Sequence, residues 1–219
     1  LIIVKNISGL SAPAKKDTMK KRIAVLASGR GSNFQAVIDA IQDGKIPATC
    51  GALITDNPKA YAIERAKKAK IPVTVIDYAS FPSREMYERA LLSAMQKVTA
   101  DLFVLAGYMR IVGAGIVRSF PGKMMNIHPA LLPGFAGLHA QRQAIDYGVK
   151  VSGCTVHFVD ESLDGGPIIL QHCVRVLEGD DEDSLAERIL RHEHECYTEA
   201  IKLFCEERLE IVGRNVRIR

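Results

Sequence analysis

The chain has 219 residues, 47% of them hydrophobic and 25% charged, which excludes disordered and fibrous classes and gives length for one α/β domain with a substantial core. A net charge of +4 without a dense Lys/Arg stripe suits small anionic substrates better than a nucleic-acid backbone, and no apolar run approaches the ~20 residues of a membrane span. Five cysteines, odd in number and without a CxxC pair, argue against a disulfide framework or structural zinc and fit a reducing cytoplasm.

Residues 1–20 read as an extension ahead of the core: four apolar residues, then a polar stretch, too short for a signal peptide. Asn6-Ile7-Ser8 is a chance glycosylation match. Residues 21–219 are expected to form a single domain. Residues 22–27 (RIAVLA) form a first strand. Phe34, Val37, Ile38 and Ile41 then recur at helical spacing, with Ser32 and Gln35 spaced as a capping box and Gly44 as the stop. A strand at 50–55 follows. Asn57-Pro58 reads as the cap and first residue of a helix ending near Lys70, before a third strand at 73–76. Ser83 opens a helix with Tyr87, Ala90, Leu91 and Ala94 on one stripe. Residues 102–106 are apolar throughout, as in a strand covered on both faces, and 123–127 form another strand. This β-α-β-α-β-α-β order predicts a Rossmann-like three-layer sandwich on a mostly parallel sheet. Runs at 152–159 and 168–176, joined by a tight loop, predict an antiparallel hairpin added to that sheet, and a helix over 183–206 closes the core.

Chemistry has three candidate locations. In Ser28-Gly29-Arg30-Gly31-Ser32-Asn33, glycines and a helix start offer backbone N–H groups to a phosphate; the alternative is a plain tight turn. The segment is neither a P-loop nor a good dinucleotide fingerprint, because Phe34 takes the place of the third glycine, although Asp56 lies near where a ribose-binding acid would sit. Asn126 and His128, two apart at the carboxyl end of a strand, share a face and can aim an amide and an imidazole at an oxyanion; a histidine satisfied by backbone is the alternative. Asp164, in Leu163-Asp164-Gly165-Gly166-Pro167, is either a stock turn residue or a carboxylate that stabilises a nearby imidazolium, with His157 on the preceding strand as support. Glu193 lies on a helix stripe with Ala186, Ile189 or Leu190, and Tyr197. It is either an inward carboxylate for a substrate amine or a surface charge. His192-Glu193-His194 lacks zinc spacing, and His128, His139 and His157 lack a clear fourth metal ligand.

Taken together, ASGRGSNFQA, LAGYMRI at 105–111, NIHPALLP at 126–133, GLHAQRQAI at 137–145, GCTVHFVDESLDGGPIILQ at 153–171 and Glu193-His194 with Tyr197 resemble the glycinamide ribonucleotide formyltransferases of the folate-dependent formyltransferase superfamily. The resemblance runs from about residue 21 to the end. It implies 10-formyltetrahydrofolate as co-substrate, glycinamide ribonucleotide as acceptor and no metal. By position it implies Asn126, His128 and Asp164 as the catalytic trio; Gly31, Ser32 and Asn33 at the ribonucleotide phosphate; Glu193 at the glycinamide end; and Arg84, Met109, Arg110, Ile111 and Val112 around the folate. It also implies a cytoplasmic monomer or homodimer with small molecules, not nucleic acid or membrane, as partners. The sequence departs from the family at Ala130, Ala136 and Thr198, at Gly134 where some members have lysine, and at Leu190 where some have a polar residue near the phosphate. Related hydrolases carry an amino-terminal regulatory domain, and formyltransferases acting on methionyl-tRNA carry a carboxy-terminal tRNA-binding domain. Neither is expected here. A nucleotide-binding module using the glycine loop alone would not require Asn126, His128 and Asp164 together.

Overall fold

The computed structural model describes residues 20–219; the expectations for residues 1–19, the sequon included, lie outside the described residues. In chain order the elements are β1 (Lys21–Leu26), α1 (Ser32–Gln42), β2 (Ala48–Thr55), α2 (Ala62–Lys68), β3 (Val73–Val75), a 3-10 turn (Tyr78–Ser80), α3 (Arg84–Val98), β4 (Leu102–Leu105), α4 (Ala114–Ser119), β5 (Met124–His128), α5 (Ala140–Tyr147), β6 (Val151–Phe158), β7 (Ile168–Arg175), α6 (Glu182–Cys205), β8 (Leu209–Val212) and β9 (Asn215–Ile218).

Nine strands form one sheet in the order β3-β2-β1-β4-β5-β6-β7-β9-β8. β3 to β5 run parallel, so the loops leaving β1, β4 and β5 gather at one carboxyl edge. β6 and β7 form the expected antiparallel hairpin beside β5. Alternation divides the apolar side chains between two faces. Phe34 and Val37 of α1 and Leu185, Ile189 and Ile201 of α6 cover Val104, Met125 and Val156. Tyr87, Leu91 and Met95 of α3 cover Leu26, Phe103, Leu105 and Met124 on the other face. Tyr197 of α6 is buried on the α1 and α6 face, its hydroxyl 2.9 Å from the Leu105 carbonyl and 2.8 Å from that of Met125, which ties the helix to two strands.

Local details differ from the sequence expectation. Ser32 does not cap α1: Gly31 does, at φ 68°, and no side chain closes the helix start. Asn57 makes a turn instead of starting a helix, its Oδ1 accepting from Lys59 N at 2.9 Å, and α2 begins at Ala62. A capping box is found on α6, where Asp181 and Ser184 satisfy each other's backbone N–H. The short helices α4 and α5 and the final hairpin β8–β9 were not anticipated; β9 pairs with β7 at Ile168 and Asn215.

Candidate active site

Strand β5 alternates, so Met124, Asn126 and His128 share the sheet face that α3 covers, with Met124 in the core and the two polar residues beyond it. The antiparallel register sets His157 of β6 opposite Asn126. After β6 the chain folds back sharply, with Phe158 N donating to Pro167 O at 2.9 Å. Gly166 is needed in that turn, because a Cβ there would lie 1.8 Å from the Phe158 carbonyl oxygen. The turn returns Asp164, in the left-handed region at φ 50°, to the same face. Its Oδ2 lies 3.3 Å from His128 Nδ1 and accepts from Gly137 N at 2.8 Å; its Oδ1 lies 3.9 Å from His157 Nε2.

The hydrogen bonds assign directions. His157 Nδ1 is 2.8 Å from the Phe158 carbonyl and must donate to it, so in the neutral ring Nε2 accepts from Asn126 Nδ2, 3.2 Å away. Burial pushes the His157 pKa down, which favours that neutral ring. His128 differs: Nε2 is 2.8 Å from the Phe135 carbonyl while Nδ1 faces Asp164, so both nitrogens meet acceptors and only a ring with two N–H bonds satisfies both. His128 is buried, and Asn126 and Asp164 are partly open.

At the start of α1, Gly31 is held against α2, where a Cβ would come within 2.9 Å of the Ala62 Cβ. The uncapped first turn leaves amide N–H groups free to meet an anion. Ser32 is half-buried. The Asn33 side chain turns inward, its Nδ2 donating to Glu193 Oε2 at 2.7 Å and its Oδ1 without a partner among the described residues. Glu193 therefore faces inward, and burial pushes its pKa up while the Asn33 amide partly opposes the shift. Leu190 is half-buried one turn earlier.

The segment after β4 forms the third part. Ser28 Oγ accepts from Met109 N at 2.9 Å, and Tyr108 and Tyr87 share a short hydroxyl contact. Met109, Arg110 and Ile111 line a cavity of about 210 Å³ with Arg84, Glu88, Tyr78 and Tyr87. Val112 packs into the core on the α3 side. Asp56 is not free to take a ribose: its buried carboxylate accepts from Arg110 Nε at 2.8 Å, and the guanidinium lies 4.0 Å from the Tyr78 ring centre. His139 does not join His128 and His157; it pairs with Glu182 at 3.1 Å. A wider groove of about 770 Å³ between β3 and α3 holds none of the candidate residues. Residue patterns alone had not marked Phe135, Gly137 or Tyr78, since two act through backbone atoms and the third lies in a short irregular turn.

Residues 21–201 match the model of the family described as formyl transferase. The chain belongs to the formyl transferase family. This formyl transferase is 43% identical over 189 residues to phosphoribosylglycinamide formyltransferase of Escherichia coli (strain K12), covering 86% of this chain and 89% of that protein. It is 44% identical over 206 residues to the trifunctional purine biosynthetic protein adenosine-3 of Drosophila melanogaster; that match covers 92% of this chain and spans only 15% of the fly protein's length. Among solved structures it resembles glycinamide ribonucleotide transformylase 1 from Symbiobacterium toebii, with a TM-score of 0.89 and 50% identity over 92% of this chain and 95% of that one. No helix among the described residues is long and apolar enough to cross a membrane.

Proposed function

We propose that this formyl transferase moves a formyl group from 10-formyltetrahydrofolate to the amine of glycinamide ribonucleotide. The observation that carries the reading is the 3.3 Å approach of the Asp164 carboxylate to His128 Nδ1, formed by residues 36 positions apart in the sequence beside Asn126. The named relatives support the choice of substrates.

In this reading the neutral amine attacks the formyl carbon, and the carbonyl oxygen becomes an oxyanion. Asn126 Nδ2, whose other hydrogen is held by His157, and the imidazolium of His128 donate to it; one such donor is worth about 3–4 kcal/mol. In this reading the oxyanion takes the place of the Phe135 carbonyl, 2.8 Å away, as acceptor for the His128 Nε2–H. Asp164 accepts from the His128 Nδ1–H and relays a proton from the attacking nitrogen to the folate nitrogen, worth about 100- to 10,000-fold. The new C–N bond then persists as the old one breaks, with no covalent enzyme intermediate. Gly31 and Ser32 would hold the phosphate at the α1 start. Asn33 would complete the phosphate site through its backbone N–H, and Glu193 would receive N–H groups at the glycinamide end of the ribonucleotide. Arg84, Met109, Arg110, Ile111 and Val112 would border the folate.

The reading takes residues 21–219 as one domain with residues 1–20 outside it, working in the cytoplasm as a monomer or homodimer. It has two small-molecule substrates and no nucleic acid, membrane or metal. The test mixes the protein with 10-formyltetrahydrofolate, with and without glycinamide ribonucleotide, and follows deformylated folate by absorbance. Release only in the presence of the ribonucleotide is expected; release without it would assign a hydrolase, and none at all would reject the reading.

A further inference from the structure

We infer that Asp56 sets the charge of the cavity that receives the folate tail, and thereby how strongly a γ-linked glutamate chain is held there. The inference rests on the folate position proposed above. Two guanidiniums border that cavity, and each already has a carboxylate: Arg84 Nε lies 2.7 Å from Glu88 Oε1, and Arg110 Nε 2.8 Å from Asp56 Oδ2.

The two pairs are not equivalent. Arg84 and Glu88 stand one turn apart on α3, with side chains 55% and 25% exposed, so solvent and salt weaken their attraction far more than that of the Arg110–Asp56 pair, and an incoming carboxylate can draw the exposed Arg84 away from Glu88. Asp56 is 2% exposed at its side chain, its Oδ1 is buried without a partner, and Arg110 is the donor to its Oδ2. Drawing Arg110 towards a ligand would leave a carboxylate buried and uncompensated, a far larger penalty than opening a surface pair. The guanidinium is also fixed over the Tyr78 ring, and Tyr78 N donates to the Asp56 carbonyl at 3.1 Å, which ties ring, cation and carboxylate into one unit. Arg110 thus shapes the wall while its charge is neutralised. One releasable cation, Arg84, is left for a ligand tail. Each added glutamate residue brings one more α-carboxylate into a cavity bordered by Glu88, with no second free cation among its described lining residues to meet it.

The test measures KM for the monoglutamyl and triglutamyl forms of 10-formyltetrahydrofolate in wild type and Asp56→Asn. At ~10 mM salt, where charges act over ~30 Å, the substitution should lower the triglutamyl KM relative to the monoglutamyl KM by about three- to tenfold, with the gain fading in ~1 M salt. An unchanged ratio, or an equal rise of both KM values with a lower melting temperature, overturns the inference and makes Asp56 a structural residue. If the variant does not fold, wild type alone decides: a triglutamyl KM that rises no more steeply with salt than the monoglutamyl KM supports one releasable cation, and a steeper rise for the triglutamyl form refutes it. Arg84→Ala separates the layers. If it leaves the monoglutamyl KM unchanged, the folate position itself is wrong; if it raises that KM while Asp56→Asn shows no tail-length effect, only the role of Asp56 fails.

Discussion

Replacing Asp164 by asparagine isolates a charge from a shape. The asparagine oxygen can still accept from Gly137 N, and asparagine tolerates a φ of 50° better than most residues, so the turn should persist. What disappears is the negative charge 3.3 Å from His128 Nδ1. A hydrogen bond to a charged group contributes about 1.5–3 kcal/mol, which is roughly 10- to 150-fold in rate if it acts only in the transition state. The same carboxylate is proposed to relay the proton, a role worth about 100- to 10,000-fold, and the two effects overlap because one group performs both. We expect kcat to fall by about 100- to 10,000-fold, with both KM values within about twofold and the melting temperature within a few degrees. Steady-state absorbance kinetics and calorimetry on the same preparation measure all three. A kcat within about threefold of wild type would refute the reasoning, because the interaction would then be worth less than ~0.7 kcal/mol.

Gly31→Ala combines a left-handed backbone, costing about 1–2 kcal/mol, with a Cβ 2.9 Å from that of Ala62, which adds about 1–3 kcal/mol of overpacking. It should lower the unfolding free energy in urea and raise KM for the ribonucleotide more than for the folate; an unchanged denaturation midpoint would contradict this. Glu193 has its folded pKa raised by burial, so the folded state holds its proton more tightly than the unfolded chain does. Its contribution is present below the usual value of 4.5 and is lost as pH rises through the folded pKa. Glu193→Gln should therefore melt higher than wild type at pH 7–8, by about 1.4 kcal/mol per unit of upward shift, and the gap should close on acidification. A gap that widens on acidification reverses the sign. His157 is the opposite case, with its pKa lowered by burial, so its contribution is lost as pH falls below about 6.5. His157→Phe should remove that loss, and by freeing the Asn126 amide it should lower kcat about tenfold; unaltered turnover would show that Asn126 needs no anchor.

The parallel half of the sheet was legible because each strand is a short β-rich run separated by helical periodicity and turn residues, and the β6–β7 hairpin because both strands flank a Gly-Gly turn. Asn126, His128 and Asp164 were legible as candidates, since two share a face by alternation and the third lies in a turn leading back from the neighbouring strand. Their convergence was not, because it depends on the register of β5 with β6 and on a turn that folds back over the sheet. The role of Asp56 stayed open for a similar reason: a position near the end of β2 is compatible with a ribose, and only the tertiary fold brings Arg110 to it. The short α4 and α5 escaped because six and eight residues carry little periodic signal. The α1 cap was assigned to Ser32 by spacing, whereas the close approach of α2 selects Gly31.

The final hairpin lies past the family match, which ends at residue 201, yet it reaches back to the turn bearing Asp164. Arg214 donates to the Gly165 carbonyl and stands 3.9 Å from Asp160, across 49 residues from the glycine it contacts. During vectorial synthesis the parallel strands, the β6–β7 ribbon and α6 all emerge before that arginine. A nascent chain can thus assemble its core while the turn bearing Asp164 still lacks the outer brace that Arg214 supplies.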